Sequence, residues 1–301
     1  MNKDKGILLE SGTNELEIVE FEVGRNKYGI NVIKVKEIIQ PLPVTPIPHA
    51  HQFMEGLIQL RGEVLPVIDM RKALGVMDGQ SVKQDKYIVA EFNQLRVVFH
   101  VENVTQIHRI SWEQIEKPST MYQGSGSQVI GVIKKGEDML LLLDFESIMA
   151  EINPDSGIQV EQVKKLGKRT RSEKKIVAAE DSPLLRKLLS DTLSEAGYDN
   201  VEFFENGKEA YEYLESIAAS AIYIEDEVNL VLTDIEMPQM DGHHLTTRIK
   251  EHAVLKSLPV IIFSSLITED LKHKGVRVGA EDQVSKPQIN ELVLKIDKYI
   301  L

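Results

Sequence analysis

The chain of 301 residues is 42% hydrophobic and 27% charged, with a formal net charge of −12 and no cysteine. That balance argues against general nucleic-acid binding, which needs clustered Lys and Arg, and the missing thiols exclude disulfides and thiolate metal sites. No run approaches the roughly 18 apolar residues of a membrane span, and the opening MNKDKGILLESGTNE lacks a signal-peptide core, so a cytoplasmic protein of about two domains is expected.

The first half reads as β-rich. LEIVEFEVG (16–24) and KYGINVIKV (27–35) are apolar, β-branched strands around a Gly24-Arg25-Asn26 turn. PLPVTPIPH (41–49) holds four prolines, which exclude regular helix and central strand. GLIQLRGEVLPVIDM (56–70) predicts two strands joined at Arg61-Gly62, followed by a short helix at MRKALG. KYIVAEF and LRVVFHV flank Asn93-Gln94 as a hairpin. QVIGVIKK and MLLLLDF flank Gly136-Glu137-Asp138, and FESIMAEI predicts a helix. Short strands at this density suggest an all-β antiparallel barrel or sandwich.

Residues 153–174 change character, with early Gly and Pro and then crowded Lys and Arg, and read as a solvated inter-domain linker. The second half has a different period. KIVAAED, VEFFENG, NLVLTD, PVIIFSS and DQVSKP read as strands. Helical spacing in SPLLRKLLSDTLSEAG, KEAYEYLESIAASAI, GHHLTTRIKEH, TEDLKHKGVRVG and INELVLKIDKYIL alternates with them. The alternation predicts a doubly wound α/β domain with a parallel sheet, whose ligands gather beyond the carboxyl ends of the strands.

At those ends stand Glu180-Asp181, Asp234, Ser264-Ser265 and Lys286-Pro287. Each alone has an ordinary explanation: a strand-end Asp caps a turn, and Lys-Pro is a turn signal. Together they place three carboxylates, a hydroxyl and an ammonium on one edge. Crowded carboxylates repel and recruit a cation, and an oxygen-only donor set favours a hard ion such as Mg²⁺. A carboxylate beside such an ion, a lysine and a hydroxyl can attack a phosphoryl donor and hold the acyl phosphate. Phosphatases of the haloacid-dehalogenase type also use a strand-end Asp, but they need a second Asp two positions on, where this chain has Glu236.

AAEDS, LVLTDIEMPQMDG, PVIIFSS and VSKP together resemble the response-regulator receiver family over about residues 174–301. The resemblance implies Asp234 as phosphoacceptor, with Glu180, Asp181, Asp234 and the backbone carbonyl of Glu236 as Mg²⁺ ligands. It further implies Ser264 as the switch hydroxyl and Lys286 as the phosphate-contacting lysine. Glu180 stands where Asp is commoner, and Gln283 where an aromatic switch residue often sits, which removes the usual ring-rotation coupling.

EIVEFEVGRNKYGINVIKVKEII, VTPIPHAHQFMEGLIQLRG and VLPVIDMR resemble the CheW-like coupling domain of bacterial chemotaxis over about residues 14–152. That resemblance implies two SH3-like five-stranded barrels, binding to chemoreceptors and to the histidine kinase CheA, and Arg61 and Val35 as partner-contact residues. Arg at a hairpin tip also suits an interface on chemical grounds. A coupling domain (14–152), a linker (153–174) and a receiver (175–301) form the layout of the CheV family of chemotaxis adaptors. The layout implies a cytoplasmic scaffold at receptor arrays, without membrane insertion, retuned by phosphorylation of Asp234; the alternative is a phosphate sink for the kinase. His49 and His51 read as loop residues, His243-His244 as helix-face residues, and Trp112 as packing.

Overall fold

The computed structural model describes residues 15–76, 85–92, 95–118, 128–136, 138–154, 157–167 and 169–301. The chain divides into two compact units.

The first carries β1 (Glu15–Val23), β2 (Asn26–Asn31), β3 (Val35–Ile39), β4 (Met54–Leu60), β5 (Glu63–Asp69), α1 (Met70–Ala73), β6 (Lys86–Phe92), β7 (Leu95–Val101), β8 (Asn103–Ser111), β9 (Val129–Lys135), β10 (Asp138–Leu143) and α2 (Phe145–Ile152). They form two five-stranded sheets, ordered β8-β1-β2-β10-β9 and β3-β6-β7-β5-β4. β1–β2, β9–β10, β3–β6, β4–β5 and β6–β7 pair antiparallel, and β2–β10 and β5–β7 parallel. Inward-facing residues of both sheets, with Phe145 and Ile148 of α2, share one core around Phe21, Phe92 and Phe99. The Asn93-Gln94 turn and Glu137 lie outside the described residues.

Two local expectations change. KYGINVIKV is not one strand: the Asn31 side chain accepts from the Ile33 amide and folds Val32–Lys34 into a 3-10 turn, which ends β2 and starts β3. Local capping here outweighs the β-propensity of Val and Ile. β8 was not expected from the sequence, because NVTQIHRIS is a largely exposed edge strand without clean apolar alternation.

The second unit contains α3 (Val160–Lys164), β11 (Ile176–Ala179), α4 (Pro183–Glu195), β12 (Val201–Phe204), α5 (Gly207–Ala218), β13 (Leu230–Thr233), α6 (Gly242–Glu251), β14 (Val260–Ser264), α7 (Glu269–Val278), β15 (Asp282–Ser285) and α8 (Ile289–Ile300). Its sheet is parallel with order β12-β11-β13-β14-β15. β11 and β13 are buried along their whole length, as strands covered on both faces must be. One core lies under α4 and α8, the other under α5 and α6. Order reverses between β11 and β13, and there the site forms.

The segment read as a bare linker is partly folded. Ile158 and Val163 join the core under α4 and α8, Arg169 donates to the Ala196 carbonyl at 2.7 Å, and Arg169 and Arg171 pair with Asp297 and Asp199. Apolar residues spaced along a charged segment give it one face to bury.

Candidate functional site

Strand register builds the site. Ala179 of β11 lies opposite Thr233 of β13, so the next residues, Glu180 and Asp234, emerge side by side. Ser264 of β14 lies opposite Ser285 of β15, so Lys286 follows one residue beyond. The Asp234 amide donates to the Ala179 carbonyl at 3.0 Å and the Lys286 amide to the Ser264 carbonyl at 3.0 Å, fixing both strand exits.

All four side chains are buried. Lys286 Nζ donates at 2.8 Å to Glu180 Oε2 and at 2.8 Å to Asp234 Oδ2. The other Asp234 oxygen, Oδ1, accepts from the Ile235 amide at 2.5 Å. Glu180 Oε1 accepts from the Ser182 amide at 3.3 Å. Asp181 is half-buried and completes a group in which Glu180, Asp181 and Asp234 each offer an oxygen, all within 4.8 Å of one another. Glu180 and Asp234 share the Lys286 ammonium and Asp181 adds a third carboxylate beside them, a crowding of like charge that a cation would offset. The donors are all oxygen, which suits a hard divalent ion such as Mg²⁺. Among the described residues this is the one such cluster. His51 serves a turn instead, its Nδ1 accepting from the Phe53 amide at 3.3 Å.

The loop after Asp234 is held close by sterics. Gly242 opens α6 so near the strand exit that a Cβ there would lie 1.9 Å from the Asp234 carbonyl oxygen and 3.1 Å from Thr233 Oγ1. Asp241 caps that helix, accepting from the His244 amide at 2.7 Å. Ser264 Oγ accepts from the Leu266 amide at 3.2 Å, tying the hydroxyl to the loop that follows β14. Gln283 is pressed flat against α7: a Cβ on Gly275 would fall 2.3 Å from its Oε1, and its Nε2 donates to the Lys272 carbonyl at 2.9 Å. His243 is buried within α6, and burial pushes its imidazole down to about 4, with the Asp241 charge opposing.

Sequence reasoning missed Arg186. From α4 its Nη1 donates to the carbonyls of Glu180 at 2.8 Å and Asp181 at 2.9 Å, and its Nη2 to Glu205 Oε1 at 3.1 Å. One guanidinium therefore positions the backbone of both consecutive acids. Nothing in SPLLRKLL separates this arginine from a solvated one.

In the first unit, Arg61 sits at the β4–β5 turn with φ 50, ahead of Gly62 at φ 90. Its side chain is 78% exposed and reaches Glu37 Oε2 at 2.7 Å. Glu37 and Val35 both lie on β3, but the register with β6 shifts between them, Val35 pairing Ala90 and Glu37 pairing Val89, so they do not share a face. Val35 is half-buried against the core. Around Arg61, a cavity of about 550 Å³ is lined by Lys36, Glu37, Leu60, Glu63 and Arg96, among others.

Known proteins match both units. The CheW-like domain family matches residues 17–153, and the response regulator receiver domain family matches residues 176–297. The chain is 28% identical over 304 residues to the chemotaxis protein CheV3 of Helicobacter pylori, covering 95% of each. It is 31% identical over 133 residues to the chemotaxis protein CheW of Rhizobium meliloti, spanning 44% of this chain and 86% of that one. Among solved structures, the scaffolding protein TtCheW of Thermoanaerobacter tengcongensis aligns with 27% identity and a TM-score of 0.40, over 42% of this chain and 83% of that one.

Proposed function

Because the chain belongs to the CheW-like family of chemotaxis coupling proteins and carries a response-regulator receiver domain, we propose that it works as a phosphorylation-tuned scaffold. Its coupling domain links chemoreceptors to the histidine kinase CheA in the cytoplasm, and its receiver takes a phosphoryl group from the kinase's phosphohistidine on Asp234. The observation that carries this reading is the shared Lys286 contact: one buried ammonium at 2.8 Å from both Glu180 and Asp234.

That geometry supports the following roles. Asp234 is the nucleophile: a carboxylate oxygen forms the new O–P bond while the donor's N–P bond breaks and the imidazole keeps the electron pair. Lys286 offsets the charge arriving with the phosphoryl oxygens. Glu180, Asp181, Asp234 and the Glu236 carbonyl would hold Mg²⁺, which when bound supplies further charge neutralisation. Gly242 keeps the loop near enough for backbone groups to surround the modified carboxylate. Ser264 offers its O–H to the new phosphoryl oxygens, while its Oγ accepts from the Leu266 amide and so ties that contact to the loop after β14. The site modifies itself once per chain; Glu236 stands two positions past Asp234, where haloacid-dehalogenase phosphatases have their second Asp.

Arg61 is the proposed partner contact, held up by Glu37 on the strand that bears Val35. The test is a pull-down of receptor and CheA with the full chain, before and after phosphorylation. Retention that changes on phosphorylation in wild type, and is fixed in Asp234→Ala, supports the scaffold. Retention that never changes, with only the kinase's phosphate draining faster, favours a phosphate sink.

A further inference from the structure

The first sheet of the coupling domain brings its two edge strands together. β8 and β9 lie at opposite ends of the order β8-β1-β2-β10-β9, yet Glu116, just past β8, and Val132 of β9 exchange backbone hydrogen bonds at 2.9 and 2.8 Å. Along this seam Glu20 of β1, His108 of β8 and Lys135 of β9 form a chain. Glu20 is 2% exposed. Its Oε1 accepts from Thr105 Oγ1 at 2.7 Å, and its Oε2 meets His108 Nε2 at 2.6 Å. His108 Nδ1 in turn meets Lys135 Nζ.

This is a different arrangement from a salt bridge. Among the described residues, the Lys135 amine contacts an imidazole nitrogen and pairs with no carboxylate. The neighbouring Lys134, 64% exposed, pairs in the ordinary way with Glu116 at 2.6 Å. Glu20, accepting from His108 Nε2–H, fixes the tautomer and leaves Nδ1 as the acceptor facing the lysine. Nucleophile, base and orienting carboxylate therefore stand in sequence. Burial lowers the affinity of Lys135 for its proton and the Lys27 charge adds to this, against a partial offset from Glu20. A desolvated lysine beside a second cation is an activated amine.

We propose that Lys135 is a covalent modification site, a nucleophilic lysine that accepts an acyl group from small acyl phosphates. One proton passes from the ammonium to His108 Nδ1 and frees the lone pair. The amine attacks the acyl carbon, the Nζ–C bond forms and the C–O bond to phosphate breaks. Inorganic phosphate leaves with the electron pair and the surplus proton. Lys27, whose charge is felt at Lys135, favours an anionic leaving group. The product amide carries no charge, so the contact that joins β9 to His108 is lost.

Acetyl phosphate tests this on the full chain, with peptide mass spectrometry resolving Lys134 from Lys135. General-base assistance contributes roughly 10²–10⁴-fold where fully realised, so Lys135 is expected to acetylate at least about tenfold faster than Lys134. His108→Gln, which keeps a hydrogen-bonding side chain but no base, should bring the two rates together. Asp234→Asn should leave the acetyl increment on Lys135 unchanged, because that carboxylate reacts at phosphorus and not at carbon. Equal rates at Lys134 and Lys135 in wild type, which needs no variant to fold, would overturn the proposal. So would an unchanged ratio in His108→Gln.

Discussion

Replacing Lys286 by Met isolates the electrostatics of the site. The ammonium is buried and lies 2.8 Å from each of two buried carboxylates. At that distance each contact has a gross Coulomb attraction of about 6 kcal/mol at an effective dielectric of about 20. Desolvation consumes much of it, and breaking a buried pair by removing one partner typically costs about 3–5 kcal/mol. Met fills similar volume, so the loss is electrostatic rather than a cavity. Without divalent ions the receiver should therefore unfold earlier, by roughly that amount. The same substitution removes the ammonium that Glu180 and Asp234 share, so Mg²⁺ should bind at least about tenfold tighter than in wild type, a gain of about 1.4 kcal/mol. Phosphorylation should nevertheless be lost, because no ammonium remains to meet the phosphoryl oxygens. Calorimetry of the full chain with and without Mg²⁺ reads the first effect, titration calorimetry of the ion the second, and phosphate labelling the third. Lys286→Met melting like wild type in the absence of Mg²⁺, or binding the ion more weakly, would refute the reasoning.

Other perturbations probe separate links. Gly242→Ala places a methyl 1.9 Å from the Asp234 carbonyl oxygen; overpacking of this kind costs roughly 1–3 kcal/mol, and thermal melting with phosphate labelling should show lower stability and lost modification. His243 is held near 4 when folded against an ordinary 6.5. Between those values the unfolded chain takes up a proton that the folded receiver refuses. Stability is thus complete above pH 6.5 and falls as pH drops toward 4, by up to about 3 kcal/mol from this group. Urea unfolding should show a shallower pH slope in His243→Leu, and an unchanged slope would contradict this assignment. Arg61→Ala should change stability by less than about 0.5 kcal/mol, since its ion pair is exposed, yet weaken partner retention by about 2 kcal/mol or roughly 30-fold if it is an interface anchor. Equal retention in a pull-down would remove it from the interface.

The parts of the site legible in the sequence were those written at strand ends. Asp234 and Ser264 end apolar runs and Lys286 follows the brief strand DQVS, and the alternation of strands and helices says on which edge such residues collect. Strand pairing then decides which of them touch. That Lys286 divides itself between Glu180 and Asp234 depends on the register of β11, β13, β14 and β15, and no local pattern encodes that register. Arg186 was invisible for a related reason: a helix position does not announce that its side chain will reach back to two carbonyls. β8 escaped because an exposed edge strand tolerates Thr, Gln, His and Arg and so loses alternation. The Val32–Lys34 turn was hidden by β-branched residues that a single Asn31 cap overrides. In residues 153–174 the crowded Lys and Arg masked Ile158 and Val163, which pack, and Arg169, which hydrogen-bonds inward.

Phosphate labelling of the purified full chain tests the central claim most directly. Wild type and Asp234→Asn are each incubated with phosphorylated CheA and Mg²⁺, and the labelled peptide is identified. The account predicts about one phosphate per wild-type chain, alkali-labile as an acyl phosphate is, and none on Asp234→Asn. An unlabelled wild type, or label that persists in Asp234→Asn, would contradict it.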